Sequence, residues 1–443
     1  MGTEKKFRDP IHKFIHVSSE ELKIIDTPVF QRTRNIKQLS LGYYAYHGAE
    51  HSRFGHMLGA MHVAGLAYDA IQKNTAKLGE DLAYEDIDRK TLRAAALLHD
   101  VGHAPFSHSL ESLLDASHEA YSKALVKTCY EDILRKSDID TQTVNELIDG
   151  YYTNKPHLSK LVSGQLDVDR LDYLLRDSYY AGVSYGRYDL ERIIDQLAIV
   201  DGKFVVLEGG YEAVEQLVFS RYQMYQQVYF HKTKRSFELM LWKCSEIMKE
   251  DGLLHYPSIK ELEEGEDGIQ EYIKRDDRWF LNQIFNAKNP KVVRIADMIK
   301  ARKPYLETYS PLSNRKKSAR IKAEPNNSVD ALEVVQSALH KALPSLGIER
   351  HEFLTDDLSR SPYNLMPDYN ISDGDDGEGG SILVYYKNNR LAEPIEKRSH
   401  MVFTLAKNQP FMIRGFVTPE KYDTVRKHLE TLSYVLPKRG SPS

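Results

Sequence analysis

The residues whose types and spacing could support chemistry are concentrated at positions 97–108, where the sequence reads Leu-Leu-His-Asp-Val-Gly-His-Ala-Pro-Phe-Ser-His. His99 and Asp100 are adjacent and offer one neutral nitrogen and one anionic oxygen, a combination suited to a divalent transition metal. His103 and His108 follow, around a Gly and a Pro that interrupt the preceding helical pattern. Any one histidine here could be a buried core residue, but three histidines grouped around an Asp favour a functional site. Two adjacent donors do not complete a metal site, so further ligands must come from other elements.

Two other predicted helices carry candidate ligands. His56 lies in a helix rich in small residues, which lets neighbouring backbones approach closely. A helix predicted over 161–178 carries Asp169, Tyr173 and Asp177 four residues apart, so they share one face. The alternative for that polar face is a solvated surface with i,i+4 pairs, but the apolar segments around it favour burial. Two imidazoles and two carboxylates together would hold a divalent ion that binds phosphate and polarises water.

A basic and aromatic stripe follows a predicted β-hairpin at 198–207. In the long helix that begins near residue 211, Arg221, Tyr225, Tyr229 and Lys232 recur at helical spacing. A row of tyrosines is more often the edge of a core than a binding site. A guanidinium and an ammonium flanking two phenols would nevertheless suit a polyphosphate joined to a sugar and a base.

Composition and charge describe an ordinary soluble protein. The 443 residues include 28% charged and 41% hydrophobic residues, and the formal net charge of −4 gives no electrostatic footprint for nucleic acid. The two cysteines, Cys129 and Cys244, are too few for a disulfide framework and suit a reducing compartment. No apolar run approaches the ~18 residues that span a bilayer, and the first residues lack the apolar core of a secretion signal. These features predict a cytoplasmic protein that binds neither a membrane nor nucleic acid.

Several motifs occur in an order typical of one enzyme family. They are Ile25-Asp26-Thr27-Pro28, Phe30-Gln31-Arg32, Ile36-Lys37-Gln38-Leu39, Ser52-Arg53-Phe54 with His56, the segment from His99 to His108, Ser117-His118-Glu119, and Asp167-Val168-Asp169-Arg170-Leu171-Asp172-Tyr173. Together they resemble the HD-domain metal-dependent phosphohydrolases, in the branch of the deoxynucleoside triphosphate (dNTP) triphosphohydrolases that contains the SAM-and-HD-domain enzyme of mammals. The resemblance covers roughly residues 5 to 240 and is weaker over the C-terminal 200 residues.

The resemblance implies hydrolysis of a dNTP at the α-phosphorus, which releases deoxynucleoside and inorganic triphosphate. The family's metal positions fall on His56, His99, Asp100 and Asp169. The family's residues around the attacked phosphorus match His103, His108, His118 and Glu119. The leaving 5′-oxygen needs a proton, and a histidine can supply one near neutral pH, so we assign His108 as the general acid.

The resemblance also implies a substrate pocket. The family's triphosphate contacts fall on Arg53, Arg170, Tyr173 and Arg221, with Arg170 in place of a lysine of the mammalian enzyme. The positions around the sugar are Gln38, Leu39, Asp177 and Tyr229, and Tyr225 replaces a histidine of the pocket. Leu39 and Tyr229 would pack against C2′ of the sugar, which predicts a preference for deoxyribose over ribose.

A nucleotide effector is the third implication of the resemblance. Asp26, Gln31 and Arg34 match positions that read a guanine nucleotide at a subunit contact, and Lys5 matches a phosphate-binding lysine. Arg8 replaces an asparagine there, so the identity of the effector stays open. A site built between chains implies a homo-oligomer, most simply a tetramer. The alternative for Asp26 and Arg34 is an ion pair on a helix surface.

Other functions share parts of this pattern. An HD phosphohydrolase acting on another nucleotide, such as a guanosine polyphosphate, would have the same metal site and a different pocket. A nucleotide-binding sensor without activity is disfavoured by the complete metal set, and a nucleic-acid-binding protein is disfavoured by the charge balance. The divalent metal could be Mn, Fe, Zn or Mg.

The expected fold is mainly α, with a helical HD-domain core and a small α+β C-terminal region. Residues 1–250 are predicted to form the catalytic core with an N-terminal regulatory segment, residues 251–330 a helical extension and linker, and residues 331–443 the α+β region. Local predictions are an extended or hairpin start at 1–20, a loop at 262–268, a basic connector at 313–327, a glycine-rich acidic loop at 373–380, strands at 381–386 and 411–416, and a helix at 419–432.

Overall fold

The computed structural model describes residues 5–80, 85–309, 336–357, 381–407 and 413–431. The predicted connector at 313–327 and the predicted acidic loop at 373–380 lie outside these residues. The chain divides into two compact units. The first contains the described residues up to 228 together with 255–282 and 381–407, and the second contains 229–254, the described part of 283–357, and 413–431. The domain boundaries predicted at residues 250 and 330 stay predictions.

Helices make up most of the described residues, so the predicted mainly α fold class is confirmed. In chain order they are α1 (Ser19–Ile25), α2 (Pro28–Arg32), α3 (Arg53–Lys77), α4 (Asp86–Leu98), α5 (His118–Leu125), α6 (Glu131–Arg135), α7 (Thr141–Asp149), α8 (Pro156–Val162), α9 (Val168–Ala181), α10 (Leu190–Asp195), α11 (Tyr211–Met224), α12 (Lys232–Glu250), α13 (Ile259–Glu264), α14 (Glu266–Lys274), α15 (Asp277–Phe285), α16 (Pro290–Lys300), α17 (His400–Lys407) and α18 (Tyr422–Thr431). Two π-helical turns, Val126–Tyr130 and Tyr225–Tyr229, follow α5 and α11.

The strands of the described residues form three small sheets. They are β1 (Lys5–Asp9), β2 (Lys13–Val17), β3 (Leu197–Val200), β4 (Lys203–Leu207), β5 (Leu306–Tyr309), β6 (Phe353–Asp357), β7 (Leu383–Tyr386), β8 (Leu391–Pro394) and β9 (Ile413–Val417). In the first unit β1 pairs with β2, and a second sheet has the order β3-β4-β7-β8. In the second unit the order is β5-β9-β6. The predicted hairpins at 1–20 and 198–207 are therefore both present.

Helix α3 is the centre of the first unit. It packs against α4, α9 and β3, and the side chains of Met57, Met61 and Ala64 along it are fully buried. Small residues on α3 let these neighbours approach closely, which agrees with the composition of the segment. This helix therefore positions the elements that carry the other candidate ligands.

The prediction of one continuous helix over 161–178 is wrong in its first half. Helix α8 ends at Val162, and α9 begins only at Val168 because the carboxylate of Asp167 accepts a hydrogen bond from the backbone N–H of Arg170 at 2.7 Å. An aspartate in this capping position satisfies one of the free N–H groups at a helix start. The face that carries the predicted polar residues belongs entirely to α9.

The loop predicted at 262–268 is also wrong, because α13 and α14 occupy this stretch and meet at Gly265. Ser258 and Glu261 form a capping box at the start of α13. Glu266 and Asp267 lie in the first turn of α14, where the helix dipole favours negative charge. The acidic residues that suggested a loop are therefore residues of helix starts.

The C-terminal elements match the predicted α+β region in type. Strands β7 and β9 correspond to the strands predicted at 381–386 and 411–416, as far as these are described. The predicted terminal helix is α18, which follows a 3₁₀ turn at Pro419–Lys421. Within the described residues, no helix is both long enough and apolar enough to cross a membrane.

The loop between α4 and α5 depends on a glycine. A Cβ atom built on Gly102 would lie 2.3 Å from the carbonyl oxygen of His118 and 2.3 Å from the backbone nitrogen of Ser122. Both neighbours are backbone atoms of α5 and cannot rotate away. Gly102→Ala should therefore lower the free energy of unfolding by about 1–3 kcal/mol, the usual cost of overpacking.

Urea unfolding followed by circular dichroism would measure this effect. Gly55→Ala is the matched control, since the nearest heavy atom to its Cβ would be Nη1 of Arg176 at 3.5 Å. Because alanine is favoured over glycine inside a helix, the control should be neutral or slightly more stable than the wild type. Equal stability of both variants would contradict the proposed close packing of the loop on α5.

Candidate metal centre and active site

Three elements bring the four predicted metal ligands together. His56 comes from α3, His99 and Asp100 follow α4, and Asp169 lies in the first turn of α9. Nε2 of His56 is 2.9 Å from Oδ1 of Asp169 and 3.6 Å from Oδ2 of Asp100. Nε2 of His99 is 3.6 Å from Oδ1 of Asp169 and 3.4 Å from Oδ1 of Asp100. His56, His99 and Asp169 therefore each place one ligand atom within 4.8 Å of the others, and Asp100 lies against both imidazoles.

The donor atoms have the arrangement that a divalent cation requires. Nδ1 of His99 lies 2.8 Å from the carbonyl oxygen of Ala96, and Nδ1 of His56 lies 2.8 Å from a carboxylate oxygen of Asp172. Nδ1 therefore donates in both rings, and Nε2 is in each ring the nitrogen that can face an ion. Both Nε2 atoms are buried and make no hydrogen bond of good geometry to a described residue. The residues present fit a metal with mixed imidazole and carboxylate ligands.

The electrostatics of this cluster favour a positive ion. Burial lowers the pKa of His56, but the carboxylates of Asp169 and Asp172 outweigh burial and raise it to about 10. Burial raises the pKa of Asp100, but the Arg53 guanidinium and the neighbouring imidazoles hold it well below its ordinary value. These shifts report a negative potential around the ligands. A metal would compete with a proton for the same His56 nitrogen, so binding should weaken in acid.

A cluster of histidines lies beside the metal ligands. The ring centroids of His103 and His118 are 3.9 Å apart, and the ring of His108 is 4.8 Å and 5.2 Å from these two. Burial lowers the pKa of both His103 and His108. Nε2 of His118 is 3.3 Å from Oε1 of Glu119. All four predicted catalytic residues are thus within one group.

Glu111 holds this cluster together and was not predicted from the sequence. Its Oε1 accepts from Nδ1 of His118 at 2.6 Å, and its Oε2 lies 3.2 Å from Nδ1 of His108. Burial raises the pKa of Glu111, but the two histidines outweigh it and lower the pKa below its ordinary value. The sequence did offer a local signal for this contact, because Glu111 follows His108 by three residues. In the 3₁₀ turn at Ser107–Leu113 this spacing brings the two side chains together.

The predicted triphosphate residues lie on three helices, and their cationic groups are held by protein partners. Arg53 contacts Asp100 through Nη1 and donates from Nε to Oγ of Ser107 at 2.7 Å. The side chain of Arg170 pairs with Asp167 at 2.5 Å, and Nη1 of Arg221 donates to the amide oxygen of Gln165 at 3.0 Å. The fourth predicted triphosphate residue, Tyr173, lies on α9, and the predicted pocket residue Tyr225 follows α11.

Aromatic rings lie next to this basic group. Burial, with the neighbouring phenol of Tyr225, raises the pKa of Tyr173 well above its ordinary value. The rings of Tyr173 and His56 are 6.3 Å apart, and the Arg221 guanidinium lies 5.6 Å from the centre of the Tyr225 ring. Tyr173 therefore lies between the predicted metal ligand His56 and the side chains of Arg221 and Tyr225.

The predicted sugar residues are distributed over both units. In the first unit, the side-chain oxygen of Gln38 is buried without a hydrogen bond to a described residue, and Leu39 is buried. Asp177 is buried and accepts from Nε2 of His51 at 2.7 Å, a partner that the sequence did not indicate. Tyr229 is buried and belongs to the second unit.

The predicted effector residues lie at the protein surface. Asp26, Arg34 and Lys5 are exposed. Gln31 donates from its amide to the carbonyl oxygen of Ile25 at 2.7 Å and accepts from Nε of Arg34 at 2.7 Å. The Arg34 guanidinium lies 3.5 Å from the centre of the Phe54 ring. Asp26, Gln31 and Arg34 thus share one region around α1 and α2, while Lys5 lies on β1.

Asp277 positions the loop that carries the histidines. Its two carboxylate oxygens accept from the backbone N–H groups of Phe106 at 2.6 Å and Lys37 at 2.8 Å. Phe106 and Ser107 both have positive φ values, 55° and 56°, which residues with a side chain rarely adopt. Burial raises the pKa of Asp277 to about 7, although the two N–H donors partly oppose it. This buried carboxylate maintains a strained turn between His103 and His108.

The raised pKa of Asp277 predicts a pH dependence of stability. Between about pH 4 and 7 the folded protein binds a proton at this site that the unfolded chain releases, so the free energy of unfolding should fall as the pH rises. Asp277→Asn cannot ionise, and one of the two N–H groups would face its amide NH₂. The variant should be less stable than the wild type and should lose this part of the pH dependence.

Urea unfolding of both proteins at several pH values in this window would measure the difference. All other carboxylates titrate alike in the two proteins, so the difference between the two curves isolates residue 277. Parallel curves would show that Asp277 is ionised throughout and would contradict the raised pKa.

Two family models match consecutive parts of the chain. Residues 53–177 match the HD domain family, and residues 188–307 match the family described as the HD associated region. The chain is 33% identical over 417 residues to the uncharacterized protein YwfO of Bacillus subtilis. This alignment covers 92% of this chain and 90% of YwfO. It is 26% identical over 399 residues to the deoxynucleoside triphosphate triphosphohydrolase SAMHD1 of Homo sapiens, covering 80% of this chain and 62% of SAMHD1.

Solved structures show the same fold. A phosphohydrolase of Bacteroides thetaiotaomicron superposes with a TM-score of 0.71 at 26% identity, over 94% of this chain and all of that chain. A hypothetical protein of Aquifex aeolicus gives a TM-score of 0.73 at 24% identity, over 96% of this chain and all of that chain. The resemblance seen in the sequence motifs is confirmed. The chain therefore belongs to the HD-domain family, in the group that includes YwfO and the SAMHD1 deoxynucleoside triphosphate triphosphohydrolases.

Proposed function

We propose that this protein uses a divalent metal to hydrolyse dNTPs to deoxynucleoside and inorganic triphosphate. The observation that carries the proposal is the convergence of His56, His99 and Asp169, with Asp100 against both imidazoles, beside a histidine cluster and a group of arginines. The activity in the name of SAMHD1 belongs to that protein, and it supports the choice of substrate here. The reaction breaks the bond between the α-phosphorus and the 5′-oxygen and joins a water oxygen to the phosphorus.

The metal would be held by the imidazoles of His56 and His99 and the carboxylates of Asp100 and Asp169. A bound Mn, Fe, Zn or Mg ion would polarise a phosphate oxygen and lower the pKa of a coordinated water. Of the two carboxylates, Asp100 is also tied to Arg53, whereas the side chain of Asp169 is 35% exposed. Asp169 is therefore the ligand most accessible from the solvent side.

His108 is the proposed proton donor to the leaving 5′-oxygen. Its Nδ1 faces the carboxylate of Glu111, so the proton would be delivered from Nε2. The negative charge of Glu111 favours the imidazolium and opposes the effect of burial. His103, His118 and Glu119 would orient the phosphate and the attacking water from the other side of the cluster.

Arginines would bind the triphosphate. Arg53, Arg170 and Arg221 each have a guanidinium that can bind phosphate oxygens in a bidentate manner. In the protein these groups contact Asp100, Asp167 and Gln165 respectively, so substrate binding would exchange one set of partners for another. Tyr173 and Tyr225 would add phenol groups to this surface.

An effector nucleotide at a subunit interface is a further part of the proposal. Exposed side chains of Lys5, Asp26 and Arg34, together with Gln31, offer a cation for phosphate and both donors and acceptors for a base. Such a site would be completed by a second copy of the chain, in a homo-oligomer that we propose to be a tetramer. The protein would act in the cytoplasm.

Removal of a ligand carboxylate should remove the metal. Asp169→Ala should abolish both metal retention and hydrolysis while the protein stays folded, because Asp169 is partly exposed. Asp100→Ala should in addition destabilise the fold by about 3–5 kcal/mol, since it leaves the buried Arg53 guanidinium unpaired.

Elemental analysis of the purified variants and urea unfolding would measure the two effects. Asp189→Ala, which removes a helix-capping carboxylate of α10, is the control. Stoichiometric metal and normal turnover in Asp169→Ala would show that the site is misassigned.

Loss of the proton donor should affect turnover alone. His108→Ala should lower kcat by roughly 10²–10⁴-fold, the usual contribution of a positioned acid, with the metal content unchanged. Single-turnover kinetics on metal-loaded protein would measure it. A parallel loss of metal would place His108 among the ligands instead.

The choice of sugar tests the substrate directly. A ribose 2′-hydroxyl against Leu39 and Tyr229 would be buried without a partner at a cost of about 1–3 kcal/mol, so we expect a roughly tenfold or larger preference for dNTPs over NTPs. Leu39→Gly and Tyr229→Ala should erode this preference. If these residues only pack the core, their truncation would lower stability without changing sugar choice.

The assay would use the four dNTPs and the four NTPs, singly and in mixtures, with product analysis by chromatography. Release of inorganic triphosphate only from mixtures would reveal the effector. Equal hydrolysis of GTP and dGTP would contradict the proposed pocket and would favour an HD phosphohydrolase of another nucleotide, such as a guanosine polyphosphate.

A further inference from the structure

A third carboxylate, Asp172, lies behind the proposed metal ligands. Asp172, one turn after Asp169 on α9, is fully buried. Its Oδ2 accepts from Nδ1 of His56 and from Nε of Arg176, both at 2.8 Å. Its Oδ1 accepts from Nε2 of His12 at 2.6 Å and from Nη2 of Arg176 at 2.8 Å. One carboxylate therefore joins a metal-ligand imidazole to the N-terminal hairpin.

The hairpin itself is fixed by the same network. The turn between β1 and β2 is closed by Asp9, whose Oδ1 accepts from the backbone N–H groups of Ile11 at 2.9 Å and His12 at 3.0 Å. Oδ2 of Asp9 also accepts from Nη1 of Arg176 at 2.8 Å. The side chain of His12 is 4% exposed, so the turn is inserted into the protein. Arg176 thus donates both to Asp9 of the hairpin and to Asp172 of α9.

Helix α3 leaves room for this network at Gly59. A Cβ atom at this position would lie 1.8 Å from Oδ1 of Asp172 and 2.4 Å from Nη2 of Arg176. Any side chain there would displace the carboxylate that His12 and His56 share. The glycine in α3 therefore serves a polar contact and not only close helix packing.

We propose that docking of the β1–β2 hairpin and binding of the metal are thermodynamically coupled through His12, Asp172 and His56. The Asp172 carboxylate fixes which nitrogen of His56 would face the ion, and His12 and Arg176 together orient the carboxylate. Partners that orient a metal-bound histidine commonly change metal affinity by about 10–100-fold when removed. By reciprocity, the bound metal must hold the hairpin more firmly than the metal-free protein does. This inference rests on the metal site of the proposed function, and not on its substrate.

The first test is the affinity for Mn²⁺ alone, measured by competition with a chromophoric chelator on the full chain after removal of metal. His12→Ala should weaken Mn²⁺ binding by about tenfold or more. His12→Gln keeps an N–H donor directed to Asp172 and should retain most of the affinity. His16→Ala, on the exposed side of β2, is the matched control and should bind as the wild type does. Wild-type Mn²⁺ affinity in a folded His12→Ala protein would overturn the proposal.

The second test uses the wild type and does not depend on a variant folding correctly. Addition of Mn²⁺ to metal-free protein should slow hydrogen–deuterium exchange in the peptides that contain residues 9–15, and should leave α7 unchanged. In His12→Ala this protection should be lost even when the metal site is saturated. Absence of Mn²⁺-dependent protection of the hairpin in the wild type would overturn the coupling.

Neither readout requires nucleotide, so the two proposals fail separately. Coupling in a protein that does not cleave dNTPs would overturn the proposed substrate alone. Cleavage of dNTPs by a protein whose hairpin exchanges hydrogen at the same rate with and without Mn²⁺ would overturn the coupling alone.

Discussion

Charge burial inside a helical core is the constraint on which the rest of this structure depends. Asp100 and Asp172 are buried beside the imidazoles of His56 and His99, and an isolated ionised carboxylate in such a place is very costly. Each of the two carboxylates has its own guanidinium, since Arg53 pairs with Asp100 and Arg176 with Asp172. The remaining negative charge, on Asp169, is the one directed at the histidine nitrogens, where a cation is favourable.

The backbone around this cluster is adapted to it. Helix α3 lacks a side chain at Gly59, where the Asp172 carboxylate and the Arg176 guanidinium approach, and Gly102 allows the loop after α4 to lie against α5. The turn at Phe106 and Ser107 is strained, and the Asp277 carboxylate accepts a hydrogen bond from the backbone N–H of Phe106. Small residues and one strained turn therefore allow three helices to present their ligands to a common point.

Much of this arrangement could be predicted from the sequence. The adjacent His99 and Asp100, with the distant His56 and Asp169, were predicted to lie together, and they do. The Asp-Gly turn at 201–202 predicted a hairpin, because a turn is encoded by local residues. Glu111, Asp172 and Asp277 were missed as functional residues. Asp172 contacts His12 across 160 residues and Asp277 contacts Phe106 across 171 residues, and no local pattern encodes such a pairing. The error at 262–268 had a different cause, since acidic residues favour both loops and helix starts.

The long-range support of the histidine loop has a consequence for the order in which the protein matures on the ribosome. Arg32 is buried and donates to Tyr256 and Tyr272 and to the carbonyl oxygen of Arg275, while Asp277 supports Phe106. At about 5–20 residues per second, translation reaches Asp277 roughly 10–30 s after Phe106. During this interval the nascent chain contains the histidine loop but not the residue that supports it, Asp277. A ribosome that stalls before residue 256 would therefore leave Arg32 without these three acceptors and Phe106 without Asp277, and that fragment would be a natural client for chaperones and proteases.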